Sequence, residues 1–216
     1  MKGKRRLPLV LALLLLLTLL PARATGTDRA NTLAAGGQAH SLAVQEDGTV
    51  LVWGDNSAGQ LGLGGDVAEI RKPTAVEGVS AVSVAAGEDF SAALRYDGAV
   101  YTWGHGVHAA PVQAAIDQVA AIAAGGEVVL ALKTDGTVWQ WTYGGAISRV
   151  SGLSRVAAIA TGGGHHLALT VRGEVWAWGK NDRGQLGDGT AVDRTAPFAD
   201  VLVSIALIAS VLIGED

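Results

Sequence analysis

The segment ATGGGHHLALTVRGEVWAWG, residues 160–179, reads as strand, tight turn, strand, and the same frame recurs three more times. It appears as AAGEDFSAALRYDGAVYTWG at 85–104, again at 35–54, and in altered form at 123–142. Gly37, Gly87, Gly125 and Gly162 open the unit, and ten residues later come Asp47, Asp97, Asp135 and Arg172, each followed by glycine. The second strand then ends at Trp53, Trp103, Trp141 and Trp178. Turn-to-turn spacings are 50, 38 and 37 residues. Asp-Gly between apolar runs is a strong hairpin signal, and a two-residue type I′ turn with two positive φ angles is the expected connection. A repeated hairpin cannot bury its apolar face alone, so the units must stack.

Residue sizes say how they stack. The runs leading into the hairpins are small: VSVAAG before Glu88, AAIAAG ending at Gly125, AAIATG ending at Gly162. The runs after the turns are bulky: VLVW, VYTW, VWQW and VWAW. Strand alternation puts Trp139 and Trp141 on one face, and likewise Trp176 and Trp178. Small inner strands crowding an axis and large outer strands diverging from it describe a radial array of sheets, an all-β propeller. The apolar period is two rather than 3.6, which excludes a helical solenoid. The units run about 33–84, 85–122, 123–159 and 160–200, with a partial fifth at 201–216. The connections after Trp-Gly are rich in Gly, Asn and Asp and read as loops. Val79 to Ala86 reads as one strand leading into the second unit.

Residues 1–24 carry an export pattern. Lys2, Lys4, Arg5 and Arg6 precede an apolar run from Leu7 to Leu20, and Ala22-Arg23-Ala24 offers a cleavage site. A retained anchor is the alternative, although the apolar run is shorter than the ~20 residues a spanning helix needs. Residues 25–32 form a polar leader. Removing 1–24 takes away five cationic side chains and no acidic ones, leaving 11 Lys plus Arg against 20 Asp plus Glu, a formal charge of −9. That acidic balance disfavours nucleic acid as a partner, since such binding rests on neutralising phosphates. There is no cysteine, so neither a disulfide nor a lipid-bearing cysteine contributes. Contact with a membrane is expected only in transit through the export signal. A secreted or extracytoplasmic location follows.

The pattern AxG-x-x-HSLAL, DG-x-V-x-x-WG and N-x-x-GQLG resembles the regulator of chromosome condensation repeat over most of residues 33–200. The resemblance implies a β-propeller, which in that family closes with seven blades. The founding member is a nuclear guanine-nucleotide exchange factor that binds chromatin. A secreted bacterial branch with shorter repeats includes a proteinaceous inhibitor of β-lactamases, and the export pattern is similar to that branch. Two departures stand out. About four repeats are visible, so the array is partial or open. The middle repeats also lack Gln-Leu-Gly, and Thr142 replaces the glycine of Trp-Gly in the third. A fragment of a longer protein, an arc completed by another copy and a small closed ring compete as explanations. The first is favoured because an open array leaves strand edges and apolar faces unpaired. Self-association through open blade edges is the corollary. The tail Val201–Ile213 is too short to span a bilayer and reads as a strand without neighbours.

No catalytic set, cofactor site or metal site is legible. His165-His166 and His40 occupy a position filled elsewhere by Phe90 and Val128, which marks it as packing or a hydrogen-bonded strand end. His105-Gly-Val-His108 has metal-site spacing but no carboxylate or cysteine nearby in sequence. Asp55-Asn56 and Asn181-Asp182-Arg183-Gly184 lack the alternating oxygens and terminal glutamate of a calcium loop, so turn formation is the better account. Ser41, Ser83 and Ser91 lack a nucleophile-elbow context. A non-enzymatic binding or scaffold role is expected, with a protein partner held by loops on one face. The alternatives are an inhibitor of, or accessory domain to, a secreted enzyme, and then guanine-nucleotide exchange. The variable loops nominate Glu88, Asp89, Phe90, His105, His108, Tyr143, Asp182 and Arg183, because repeat proteins gather their insertions on one surface.

Overall fold

The computed structural model describes residues 33–65, 67–105 and 108–199. The export segment, the polar leader and the 201–216 tail lie outside them. Among the described residues, sixteen strands form four antiparallel four-stranded sheets, each a meander in chain order. The first blade comprises β1 (Ala34–Gly36), β2 (His40–Val44), β3 (Thr49–Asp55) and β4 (Glu69–Ser80). The second has β5 (Ser83–Ala86), β6 (Phe90–Leu94), β7 (Val100–Gly104) and β8 (His108–Gln113). β9 (Val119–Gly125), β10 (Val128–Lys133), β11 (Val138–Thr142) and β12 (Ser148–Arg149) make the third. β13 (Val156–Thr161), β14 (His165–Thr170), β15 (Val175–Gly179) and β16 (Arg194–Phe198) make the fourth. Successive blades touch through their first strands, β1 to β5 to β9 to β13. The alanine-rich runs therefore occupy the crowded inner edge, as their size requires.

Each junction between blades holds its own apolar cluster, and strand alternation assigns side chains to one junction or the next. On β6, Ala93 faces the first junction while Phe90, Ala92 and Leu94 face the second. On β10, Val129 and Ala131 face the second while Leu130 and Leu132 face the third. Trp103, Trp141 and Trp178 fill the three junctions in turn. β5, with a sheet on either side, is buried at all four residues, whereas β13 exposes Ala157, Ala158 and Ala160.

The hairpin turns differ from the expected type I′. Only the glycine has positive φ (Gly48 +86°, Gly98 +84°, Gly136 +79°, Gly173 +83°), and Asp47, Asp97 and Asp135 do not. The Gly48 amide donates to the Gln45 carbonyl at 2.9 Å, and the Gln45 amide donates to the Thr49 carbonyl at 2.9 Å. This is a three-residue loop, a type I turn closed by a left-handed glycine. The aspartate carboxylate takes the amide two residues on, at 2.9 Å for Asp47 to Thr49. The turn also reaches the next blade. The carbonyls of Gly48, Gly98 and Gly136 accept from the amides of Ala81 (2.9 Å), Val119 (3.2 Å) and Val156 (3.1 Å), where the following innermost strand begins. A Cβ on Gly98 would lie 3.1 Å from the Val119 amide nitrogen, so close approach and backbone conformation both demand glycine.

The outermost strands arise where the sequence reads as loop. β4, β8 and β16 are largely exposed, contain Pro73, Pro111 and Pro197, and join the third strands with shifts of register. Proline and missing apolar alternation are the marks of an edge strand, and they also hide it from a periodicity test. The run Val79 to Ala86 is likewise not one strand: β4 ends at Ser80 and β5 starts at Ser83, with the crossing between blades at Ala81-Val82.

A polar thread crosses the first junction. The Gln60 carbonyl, in the Gln-Leu-Gly loop of blade one, accepts from the Trp103 indole (2.9 Å) and the Ser91 hydroxyl (2.7 Å) of blade two. His40 Nε2 lies 3.0 Å from Ser91 Oγ, and Leu61 is fully buried beside Trp103. Leu61→Ala should therefore lower the unfolding free energy by ~2–5 kcal/mol, read from urea denaturation. A loss below ~1 kcal/mol would show that the loop does not clip the blades together.

Burial also disfavours charge on two imidazoles. It lowers the pKa of His40, and it pushes that of His166 from 6.5 down to about 4, with His165 adding to the effect. Between about pH 4 and 6.5 the unfolded chain then binds more protons than the folded one, so stability falls as pH drops through that window. Tm should decline from pH 7.5 to pH 4, less steeply in His166→Gln. An unchanged slope in that variant would refute the assignment.

Candidate functional site

Four rings from two blades converge beside the second junction. Gly87, having no side chain, lets the Phe90 ring fold back over the backbone three residues earlier. Asp89 precedes it and binds His105 twice, through its carbonyl to the His105 amide (2.8 Å) and through Oδ1 to Nδ1 (2.7 Å). These bonds hold His105 in the left-handed region at φ +52°. Tyr143, from the third blade, donates its amide to the Glu127 carbonyl (3.3 Å). Its ring centroid lies 5.7 Å from Phe90, 5.7 Å from His105 and 6.2 Å from His108.

The hydrogen bond that His105 donates to Asp89 raises the His105 pKa, helped by the negative field of Asp89, Glu127 and Glu88. Burial pushes the Tyr143 phenol up to about 12, and its hydroxyl has no hydrogen-bond partner among the described residues. The tyrosine stays neutral at ordinary pH. Its ring supplies contact area, and its buried hydroxyl does not give up a proton.

His108 and Tyr143 also line a cleft of about 480 Å³ between the outer halves of blades two and three. One wall is Thr102 with Val112 to Ala115, and the other is Trp141 with Gly144 to Ile147. Val112 is 42% exposed. Aromatic rings and small apolar groups with a few polar tips suit contact with polypeptide. Among the described residues no group of three or more His, Cys, Asp or Glu could hold a metal ion. The carboxylate that the His105-Gly-Val-His108 spacing lacked in sequence is present in space, as Asp89, but it forms an ion pair with one histidine.

Of the residues nominated from sequence, Asp89, Phe90, His105, His108 and Tyr143 come together here. Phe90 is fully buried and shapes the cluster from below. Glu88 is exposed; its amide donates to the Gly126 carbonyl (2.8 Å) and its carbonyl accepts from Gln38 (3.2 Å), so its backbone bridges three blades. Asp182 and Arg183 belong to the fourth blade's loop, where the Asp182 carboxylate accepts from Gln185 Nε2 (3.0 Å) and the Arg183 amide donates to Gln185 Oε1 (2.8 Å). They shape that turn and do not join the cluster. Trp141, Thr102 and the Val112–Ala115 wall were missed by sequence reasoning. The available signal was the shortened second connection, which lacks Gln-Leu-Gly.

Two models of the regulator of chromosome condensation (RCC1) repeat match the chain, one at residues 47–94 and 172–206, the other at 32–60, 81–108 and 156–185. The ultraviolet-B receptor UVR8 of Arabidopsis thaliana is 43% identical over 93 residues, 42% of this chain and 21% of that protein. The human E3 ubiquitin-protein ligase HERC2 is 44% identical over 72 residues, 32% of this chain and 2% of that protein. Among solved structures, human WBSCR16 superposes with a TM-score of 0.70 at 28% identity, over 76% of this chain and 51% of that one. Prp20p from Saccharomyces cerevisiae, described with its binding properties to Gsp1p and histones, superposes with a TM-score of 0.67 at 26% identity, over 79% of this chain and 51% of that one. The chain thus spans about half of these solved relatives and a smaller share of the curated ones. The repeat matches together take in more than half of the sequence, on the first, second and fourth blades and on into residues 200–206 beyond those described. The chain belongs to the RCC1 repeat family.

Proposed function

We propose that this chain is an exported, non-enzymatic protein-binding module that takes its partner at the junction of blades two and three. The observation that carries this reading is the meeting of Asp89, Phe90, His105, His108 and Tyr143, from loops of two blades, beside an open cleft. Aromatic anchors flanked by polar groups are what protein interfaces concentrate. The propeller relatives support it: Prp20p is described with Gsp1p and histones, and yeast RCC1 (Prp20) with Kap60 bound. Export rests on the basic, apolar and small-residue pattern of residues 1–24.

Export should yield a mature chain beginning at Thr25, read by N-terminal sequencing of the protein in the periplasm or medium. The mature chain should retain a stoichiometric protein partner from that compartment. Tyr143→Ala with His108→Ala should weaken the complex at least ~10-fold, the scale of one interface hot spot. Asp182→Ala with Arg183→Ala should leave it unchanged. Equal loss in both variants would remove the site from consideration, and turnover of a peptide or glycan by the purified chain would overturn the non-enzymatic reading.

A further inference from the structure

Blades one and two are joined by a device that blades two and three lack. In the first junction, Gln60 presents its carbonyl to the Trp103 indole, Leu61 is buried, and Gly62 lies so close that a Cβ there would sit 2.7 Å from the Trp103 ring. Gly64 then donates its amide to the Ala109 carbonyl on β8 (2.8 Å). At the second junction the corresponding surfaces are Trp141 and the Gly144–Ile147 wall, and these line the cleft. The third junction lacks the loop as well, but there Gln140 Oε1 accepts from the Trp178 indole (3.1 Å). Thr102 holds the position in blade two that Gln140 holds in blade three, one residue before the tryptophan of β7. Its side chain is too short for that reach. The Trp141 indole makes no hydrogen bond among the described residues, and the space beside it stays open.

The turn that fills the first junction is built by its own residues. Asn56 Oδ1 accepts from the Leu61 amide (2.9 Å) and Gln60 Oε1 from the Ala58 amide (2.8 Å). The fourth blade's loop repeats both bonds, Asn181 to Leu186 (2.9 Å) and Gln185 to Arg183 (2.8 Å), with no further sheet beyond it among the described residues. The shape therefore belongs to the turn and not to the cleft that receives it.

From this we infer that the cleft between blades two and three receives a loop of the partner protein that copies the missing turn. A leucine-sized side chain enters the cleft, the preceding carbonyl accepts from Trp141 Nε1, and a glycine lies against the indole face. This deepens the protein-binding reading and rests on it.

The probe is a labelled peptide of residues 55–63, DNSAGQLGL, titrated against the mature chain. Saturable binding is expected, at least 10-fold weaker when the peptide's leucine is alanine. Trp141→Phe, which keeps a ring but loses the N–H, should weaken it several-fold. Thr102→Gln, which supplies the acceptor from within as Gln140 does, should also compete with the peptide. A thermal melt confirms that each variant is folded. Absence of saturable binding, or binding indifferent to the leucine and to both variants, would overturn the proposal. A captured partner that neither the peptide nor Thr102→Gln displaces would overturn it while leaving the protein-binding reading intact. Saturable peptide binding with no partner captured would support the cleft chemistry and count against the broader reading alone. A dimer of the chain that the peptide dissociates would assign the cleft to a second copy and overturn the partner.

Discussion

A sheet covered on both faces has to meet its neighbours at two different widths. Near the axis the first strands nearly touch, and only Ala, Gly, Ser and an occasional Val or Ile fit between them. Further out the sheets diverge, and volume must be supplied or the junction stays open. Trp103, Trp141 and Trp178 supply most of it from the third strands. Each large ring brings one N–H that burial leaves in need of an acceptor. The rest of the structure turns on how each junction answers those two demands, for volume and for an acceptor.

The three junctions answer differently. The first uses a loop from the preceding blade, whose Gln60 carbonyl serves two donors at once and whose Leu61 fills the remaining gap. The third uses the Gln140 side chain for the acceptor and Val150 and Leu153 for volume. In the second, Tyr143 and Phe90 replace the polar His40–Ser91 contact with an aromatic one, and the outer half is left open. A shorter connection in the second repeat, with Thr102 where the third repeat has Gln140, thus leaves open a space that the first junction fills. Beside it, two histidines, an aspartate and a tyrosine stand where loops from adjacent blades meet.

Much of the architecture was legible because its causes are local. Asp-Gly at Asp47, Asp97 and Asp135 marks the hairpins whatever surrounds them, and period-two alternation with small residues before each turn and tryptophan after it gives the order of strands from axis to rim. Other features escaped for physical reasons. The turn type differs because each loop closes over three residues rather than two, a register that Asp-Gly alone does not fix, and Gly173 adopts it with no bond to a further blade among the described residues. β4, β8 and β16 carry proline and exposed polar residues, so nothing in their periodicity separates an edge strand from a loop. The break at Ala81-Val82 lies inside a run of small and β-branched residues, VSAVSVAA, and only the change of sheet reveals it.

The same division holds at the site. Asp89, Phe90, His105, His108 and Tyr143 could be picked out singly, as loop residues that vary between repeats. That they meet while Asp182 and Arg183 do not was beyond sequence, because the meeting depends on how neighbouring blades set their loops against one another. By itself the sequence determined the repeat, the all-β class and the small-to-large gradient from axis to rim, since each follows from residue size and backbone conformation within a few positions. The tertiary structure alone decided which tryptophan has an acceptor and which junction stays open. Those depend on the distance between neighbouring sheets, a quantity set by packing and written in no single segment of the chain.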